Sequence, residues 1–148
     1  MIRKAVRGDL AAVERIVHEA YAPLAARMDR PPAPMQDDYA ARIAEGAVWV
    51  AEPNAGVAGI LVLSDLADAL MLENVAVARE AQGQGVGRLL TGFAESEALR
   101  RGFDRIRLYT HITMVENQSM YRHLGYREIG KGLEDGFERV QFAKDLGH

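Results

Sequence analysis

A mixed α/β chain of the α+β kind, in the element order β-α-α-β-β-β-α-β-α-β-β, is predicted by three features of the sequence. Residues 48–52 with 57–63, and 126–129 with 137–144, read as two pairs of strands joined by turn-forming stretches. Apolar side chains recur every three or four positions after Asp9 and after Gly85, the period of a half-buried helix. A strand at 70–77 runs into three alternating glycines and then into a helix.

Each element has a local cause. Residues 1–7 alternate weakly, with Ile2 and Val6 against Arg3, Lys4 and Arg7, and form a short first strand. Asp9 is placed to cap a first helix, which carries Leu10, Val13, Ile16, Val17, Ala20 and Tyr21 and weakens at Pro23. Pro31, Pro32 and Pro34 favour an extended loop that covers something, since the piece before them is too small to bury its own core. Asp37 or Asp38 caps a second helix through Tyr39 and Ile43, stopped by Gly46. The helix over 85–101 puts Val86, Leu89, Leu90, Phe93, Ala94 and Ala98 on one face and ends at Gly102. A strand at 105–110, a short helix over 117–124 ended by Gly125, and a hairpin turning around 132–136 close the chain.

Composition bounds the chemistry. The 148 residues carry 18 Lys plus Arg against 21 Asp plus Glu, a formal charge of −3, and no cysteine. Without cysteine there is no disulfide scaffold, no thiolate metal site and no cysteine nucleophile. The acidic balance argues against a nucleic-acid partner, which selects for a basic stripe. No apolar run approaches the roughly 20 residues of a membrane helix, and no apolar stretch of a secretory leader follows the basic start. The expectation is one cytoplasmic domain over 1–148, with no membrane and no metal.

The densest signal is Gln82-Gly83-Gln84-Gly85-Val86-Gly87-Arg88 between strand and helix. Glycines let a ligand approach the backbone, and a helix N-terminus offers unpaired N–H groups to an anion. A P-loop would need Lys-Ser or Lys-Thr after the last glycine, where Arg88-Leu89 stands. A dinucleotide fingerprint would need a glycine where Arg88 stands. The pattern Gln/Arg-x-x-Gly-x-Gly is met by Gln82, Gly85 and Gly87. A tight turn alone would need one glycine rather than three.

This segment resembles the acetyl-coenzyme A signature of the GNAT superfamily of N-acetyltransferases, and the order of elements resembles that family along essentially the whole chain. The resemblance implies a mostly antiparallel, twisted sheet flanked by about four helices. It implies acetyl-coenzyme A as co-substrate, with its pyrophosphate on the backbone of Gln82, Gly83, Gln84, Gly85, Val86, Gly87 and Arg88. The strand backbone at Val75, Ala76 and Val77 would hold the pantetheine side and polarise the thioester. The strands ending at Val77 and Thr110 would splay around the pantetheine. Family members commonly carry Pro where Arg79 stands, outside the glycine core.

A second motif, Met114 to Tyr126, resembles the family's Tyr-bearing helix ended by Gly-Phe/Tyr. By that resemblance Tyr121 protonates the departing thiolate. The family's usual Asn seven residues earlier is Met114 here; Asn117 is read as a helix cap with a contact to pantetheine, or as a cap alone. Tyr121 could also be a packed aromatic, since its register with Leu124 fits a core face.

Acyl transfer to nitrogen needs a neutral amine, so a base is sought. Glu73, two and four residues before Val75 and Val77, is the first candidate, directly or through water; His111 is the next. His18, His123 and His148 read as bystanders. Asp29, Asp37 and Asp38 flank the proline-rich stretch, where carboxylates would attract a cationic amine or simply be solvated. The reading is an N-acetyltransferase acting on a small-molecule or peptide amine by direct attack. The alternatives are a non-catalytic coenzyme A-binding module on the same fold and, further off, a nucleotide-phosphate-binding domain. Exposed C-terminal strands leave room for a homodimer.

Overall fold

The computed structural model describes residues 1–134 and 136–147. Its strands are β1 (Ile2–Lys4), β2 (Val48–Ala51), β3 (Gly59–Asp65), β4 (Leu70–Val77), β5 (Arg105–His111), β6 (Arg127–Glu134) and β7 (Phe137–Asp145). Its helices are α1 (Leu10–Ala25), α2 (Ala33–Gln36), α3 (Tyr39–Ala44), α4 (Val86–Arg100) and α5 (Val115–His123). Strand order is β1-β2-β3-β4-β5-β7-β6. β4 pairs with β5 in parallel, whereas β1–β2, β2–β3, β5–β7 and β6–β7 are antiparallel. The chain makes two compact units, Met1–Leu63 with Asn74–Ala94, and Ser64–Glu73 with Glu95–His148.

In the first unit α1 buries Val13, Ile16, Val17 and Leu24, one stripe at helical spacing. Burying such side chains contributes about 1.5–3 kcal/mol each, which outweighs the helix's weak intrinsic propensity. The helix therefore continues past Pro23 to Ala25. One lost N–H bond there is offset by burial of Leu24 and by Ala26 N–H donating to Ala22 O at 3.1 Å. Asp9 does not cap α1 with its side chain. Its carboxylate accepts from Val6 N–H at 2.7 Å and from both Arg3 terminal nitrogens at 2.8 and 3.0 Å. The proline-rich stretch is not wholly extended, because α2 begins after Pro32 and holds Pro34 in its first turn, where a missing N–H costs nothing. Asp38 caps α3, accepting from Ala41 N–H at 3.0 Å.

β3 begins at Gly59 rather than at residue 57. A Cβ at Gly59 would stand 2.8 Å from Val86 Cγ1 and 2.9 Å from Leu90 Cδ1, so the bare backbone is what lets α4 settle there. The buried stripe of α4 in this unit is Val86, Leu90 and Ala94, one per turn, while Leu89 is rotated off it and 48% exposed.

In the second unit β5 alternates cleanly. Ile106, Leu108 and Thr110 are buried, and Arg105, Arg107, Tyr109 and His111 are half-buried on the opposite side. β7 adds buried Val140, Phe142 and Ala143. The end of α4 buries Glu97, whose carboxylate takes Arg100 and Arg101 at 2.7 to 2.8 Å. Those guanidinium bonds hold its pKa down at about 2 against the desolvation that opposes them. β6 is eight residues long, so Gly130 and Gly132 lie within a strand and not in the turn. Among the described residues no helix is long and apolar enough to cross a membrane, and no group of three or more His, Asp or Glu could hold a metal.

Candidate active site

The glycine loop is built by two opposed requirements, a strand that must stop and a helix that must start. After β4 a single 3-10 turn, Arg79–Ala81, packs Ala81 inward and leaves residues 82–85 exposed. Gly83 and Gly85 have φ of +81° and +83°, the left-handed region that side chains resist. A Cβ at either would meet nothing within 4 Å, so conformation and not crowding excludes a side chain. Gly87 differs: its φ is not positive, and a Cβ there would sit 3.7 Å from Val77 Cγ2, an ordinary contact. Neither the fold nor the packing of this chain asks for glycine at 87.

The ladder of α4 starts with Leu89 N–H donating to Gly85 O at 3.0 Å. The N–H groups of Val86, Gly87 and Arg88 precede that bond and have no partner inside the helix. They point out at the positive end of a helix of 15 residues. Exposed Arg88 adds a full positive charge, while Gln84 is tied by its side chain to Glu80 O at 3.3 Å. A cavity of about 280 Å³ beside the loop is lined by Gln84, Glu80, Ala81 and the β2–β3 turn from Pro53 to Ala58. Gln82, Gly83, Gln84, Gly85 and Arg88 are exposed, Gly87 is half-buried, and Val86 turns its side chain into the core.

Along β4 burial alternates strictly. Leu70, Leu72, Asn74 and Ala76 are buried, and Met71, Glu73, Val75 and Val77 are half-buried. The β4–β5 ladder covers only Leu70–Leu72 against Ile106–Leu108. Glu73 and Tyr109 lie one step beyond it, although β5 keeps pairing with β7 out to His111. Asn74 was not foreseen as important. It accepts from Tyr21 Oη–H at 2.7 Å and donates to Tyr39 Oη at 3.1 Å, and Tyr39 in turn donates to Pro34 O. This relay ties the proline-rich segment to the middle of β4. An amide in the inward-facing register of β4, where Leu70, Leu72 and Ala76 are apolar, was the signal for it. Asp37 is paired with Arg42 at 3.3 Å and Asp38 is the cap, so those two carboxylates are engaged within the fold; Asp29 is exposed.

α5 presents Tyr121 by its C-terminal cap. Gly125 N–H donates to Arg122 O at 3.1 Å and Tyr126 N–H to Tyr121 O at 2.9 Å, the paired bonds of a Schellman turn, with Gly125 at φ +96°. The accompanying apolar contact is Tyr121 edge-on to Tyr126, with ring centroids 5.6 Å apart, and Phe142 lies 6.2 Å away. Burial pushes the Tyr121 phenol up to about 12. Tyr126 is raised further by burial and by Glu95, whose carboxylate it bonds at 3.0 Å.

Asn117 is not a cap: α5 starts at Val115 with Met114 before it, and Asn117 sits in the first turn with its amide 3.9 Å from Met114 Sδ. The role of tying α5 to β5 falls to buried Gln118, which donates to Ile112 O at 2.9 Å and His111 O at 3.3 Å. Its spacing of three from Tyr121, on one helix face, was the available signal. His111 is the last residue of β5, and its Nδ1 takes Thr113 N–H at 3.2 Å. His18 and His123 are exposed, and His148 lies outside the described residues.

The family model of the GNAT acetyltransferase domain matches residues 44–128. Mouse N-alpha-acetyltransferase 80 is 39% identical over 90 residues, covering 56% of this chain and 27% of that protein. Mycothiol acetyltransferase of Jonesia denitrificans is 33% identical over 104 residues, covering 70% of this chain and 28% of that protein. The chain therefore spans about a quarter of the length of these relatives. The ribosomal-protein-S18-alanine N-acetyltransferase of Escherichia coli superposes with a TM-score of 0.78 at 22% identity, over 100% of this chain and 94% of that one. The PaiA N-acetyltransferase of Thermoplasma acidophilum, solved with coenzyme A, gives 0.81 at 18% identity over 98% of both chains. At such identities these two structures speak for the fold alone.

Proposed function

The chain belongs to the GNAT acetyltransferase family, and from that premise we propose that residues 1–148 act as one acetyl-coenzyme A-dependent N-acetyltransferase domain, moving the acetyl group to a primary amine by direct attack. The observation that carries this reading is Gly87. A helix-opening glycine with a negative φ and room for a Cβ has no internal purpose, and a backbone that must lie against a pyrophosphate supplies one.

In this reading the N–H groups opening α4 hold the pyrophosphate, with Gln82 to Arg88 around it. The pantetheine follows the backbone of Val77, Ala76 and Val75, and an N–H there polarises the thioester carbonyl. Asn117, whose amide donates to Met114 Sδ at 3.9 Å, would exchange that weak bond for one to the pantetheine arm. The amine nitrogen attacks the carbonyl carbon, the C–N bond forms and the C–S bond breaks. One proton leaves the nitrogen for Glu73, directly or through water, with His111 as the other candidate; one proton returns to sulfur.

Tyr121 is the proposed partner of that sulfur. A phenol at about 12 is a poor acid toward a thiolate near 8.5: full transfer is uphill by roughly 5 kcal/mol. What Tyr121 supplies is a hydrogen bond to the sulfur as its charge develops, the proton following from water. Its place among Tyr126 and Phe142 is also what a non-catalytic coenzyme A-binding module would show, so binding and turnover need separate tests.

The binding test uses Gly87→Ala. Alanine should leave the melting temperature unchanged or raise it by a few degrees, because glycine inside a helix costs about 0.5–1 kcal/mol relative to alanine. Affinity for acetyl-coenzyme A by calorimetry should fall by about tenfold or more. Equal affinity in the variant and the parent would remove the loop from the site.

A further inference from the structure

Among the described residues, two arginines of the second unit have no acid within ion-pair distance. Arg139 on β7 is half-buried, with its guanidinium 4.1 Å over the Tyr109 ring and 5.4 Å from the Phe137 ring. Among the described residues no carboxylate stands within ion-pair distance of it, although Arg3, Arg15, Arg42, Arg100, Arg101, Arg105, Arg122 and Arg127 all have one. Arg107 on β5 is the second case. It is half-buried, a terminal nitrogen donates to Gln141 Oε1 at 3.1 Å, and its Nε is buried without a partner among the described residues. Drawing a guanidinium partly out of water without an acid partner destabilises the fold, and aromatic stacking offsets only part of that.

The register puts these groups on one face. Tyr109 stands opposite Gln141, and His111 opposite Arg139. Arg107 is in line with Met71 across the β4–β5 pair. Glu73 is two residues on from Met71, so strand alternation brings it out on the Arg107 side. Gln141 is pinned from both ends, accepting from Arg107 and donating to Glu134 Oε1 at 2.7 Å. Next to β7, the positions of β6 opposite Gln141 and Arg139 are Gly130 and Gly132. Neither has a positive φ, and a Cβ on either would meet nothing within 4 Å. Gly130 lies where the β6–β7 register shifts, which accounts for that glycine; Gly132 pairs regularly, and a glycine that weakens a strand with no bulge and no strain leaves the backbone open to close approach from outside.

We infer that this face binds a carboxylate of the acyl acceptor, held by Arg139 and Arg107 beside Tyr109, over the bare backbone of Gly130 and Gly132. The inference rests on the acetyltransferase reading and narrows it to acceptors that carry an acid group beside the reactive amine. The planar fork of Arg139, fixed on an aromatic ring, suits two-point recognition of a carboxylate. The source is either a free amino acid or a peptide with an acidic residue next to its amino terminus, and the chemistry read here is common to both.

The experiment compares matched acceptors: amino acids against their amides, and short peptides with Asp against the same peptides with Asn in second position. The acid member of at least one set should have a kcat/KM about tenfold or more above its neutral twin, the size of a charge-assisted hydrogen-bond pair. In Arg139→Gln, and separately in Arg107→Gln, that ratio should fall toward one, with Arg139→Lys recovering part of it. Two variants are used so that poor folding of one leaves the other decisive. Equal rates for acid and neutral twins, or a ratio unchanged in both variants, would overturn the inference. Absence of turnover with every amine would instead strike the acetyltransferase reading. Calorimetry with the set that discriminates then decides the face: tighter binding of its acid member that is lost in Arg139→Gln supports it, and equal binding of its two members overturns it.

Discussion

Tyr121 and Glu73 carry opposite demands in the proposed reaction: one must keep a proton to offer, and the other must take one. Burial holds the Tyr121 proton on up to about 12, so its hydrogen-bond donor persists across the working range. The group that changes with pH is then the acceptor amine, near 10 when unperturbed. The rate constant kcat/KM should rise with pH toward that value, with no falling alkaline limb below about pH 11. Tyr121→Phe should lower kcat by about tenfold or more and keep the shape of the profile, with acetyl-coenzyme A affinity nearly unchanged. A falling limb near pH 9 that vanishes in Tyr121→Phe would show a phenol far more acidic than its burial allows. Glu73→Gln should lower the rate most at low pH, where the amine is most in need of a base, as a full pH profile will show.

The elements that place these groups were legible in the sequence to different depths. Strong periodicity made α4 and β5 readable, and the glycines that end α4 and α5 have the positive φ expected of helix caps. The loop from Gln82 to Arg88 stood out because three glycines exceed what one turn needs. Less legible were features decided by distant contacts. Asp9 has the chemistry of a helix cap, yet Arg3, six residues away, takes its carboxylate. Asn117 has the chemistry of a helix cap, yet α5 starts two residues earlier, at Val115, and Gln118 reaches the carbonyls of His111 and Ile112 instead. β3 starts late, at Gly59, where the bare backbone admits α4, and no local pattern announces that contact. Gly125 offers an element-scale test. Alanine at φ +96° should cost about 1–2 kcal/mol, and its Cβ would stand 3.4 Å from Lys144 Cε. A lower melting temperature together with a lower kcat would tie the cap to Tyr121; a variant as stable and active as the parent would separate them.

For the molecule as a whole, acid stability follows from Glu97. Its folded pKa near 2 lies below the ordinary 4.5, so its contribution is complete above about pH 4.5 and is lost as pH falls toward 2. A shift of that size corresponds to at most roughly 3 kcal/mol. Asp9, lowered by Arg3, acts in the same direction. Glu97→Gln should be less stable at neutral pH and show a flatter dependence between pH 5 and 2 in urea titrations; a parallel curve would deny Glu97 that role. We propose, separately, that β6, the strand at the end of the sheet order with Leu133 70% exposed, is where two copies of the chain would pair as a homodimer. The central claim, however, is the reaction. Its most direct measurement is release of free thiol from acetyl-coenzyme A by the full chain across a panel of amines, with the acetylated product identified by mass. The account predicts thiol and N-acetyl product in equal amounts with at least one amine, the carboxylate-bearing ones foremost. Tight coenzyme A binding with no thiol release above the protein-free rate, for any amine, would contradict it and leave a binding module on an acetyltransferase fold.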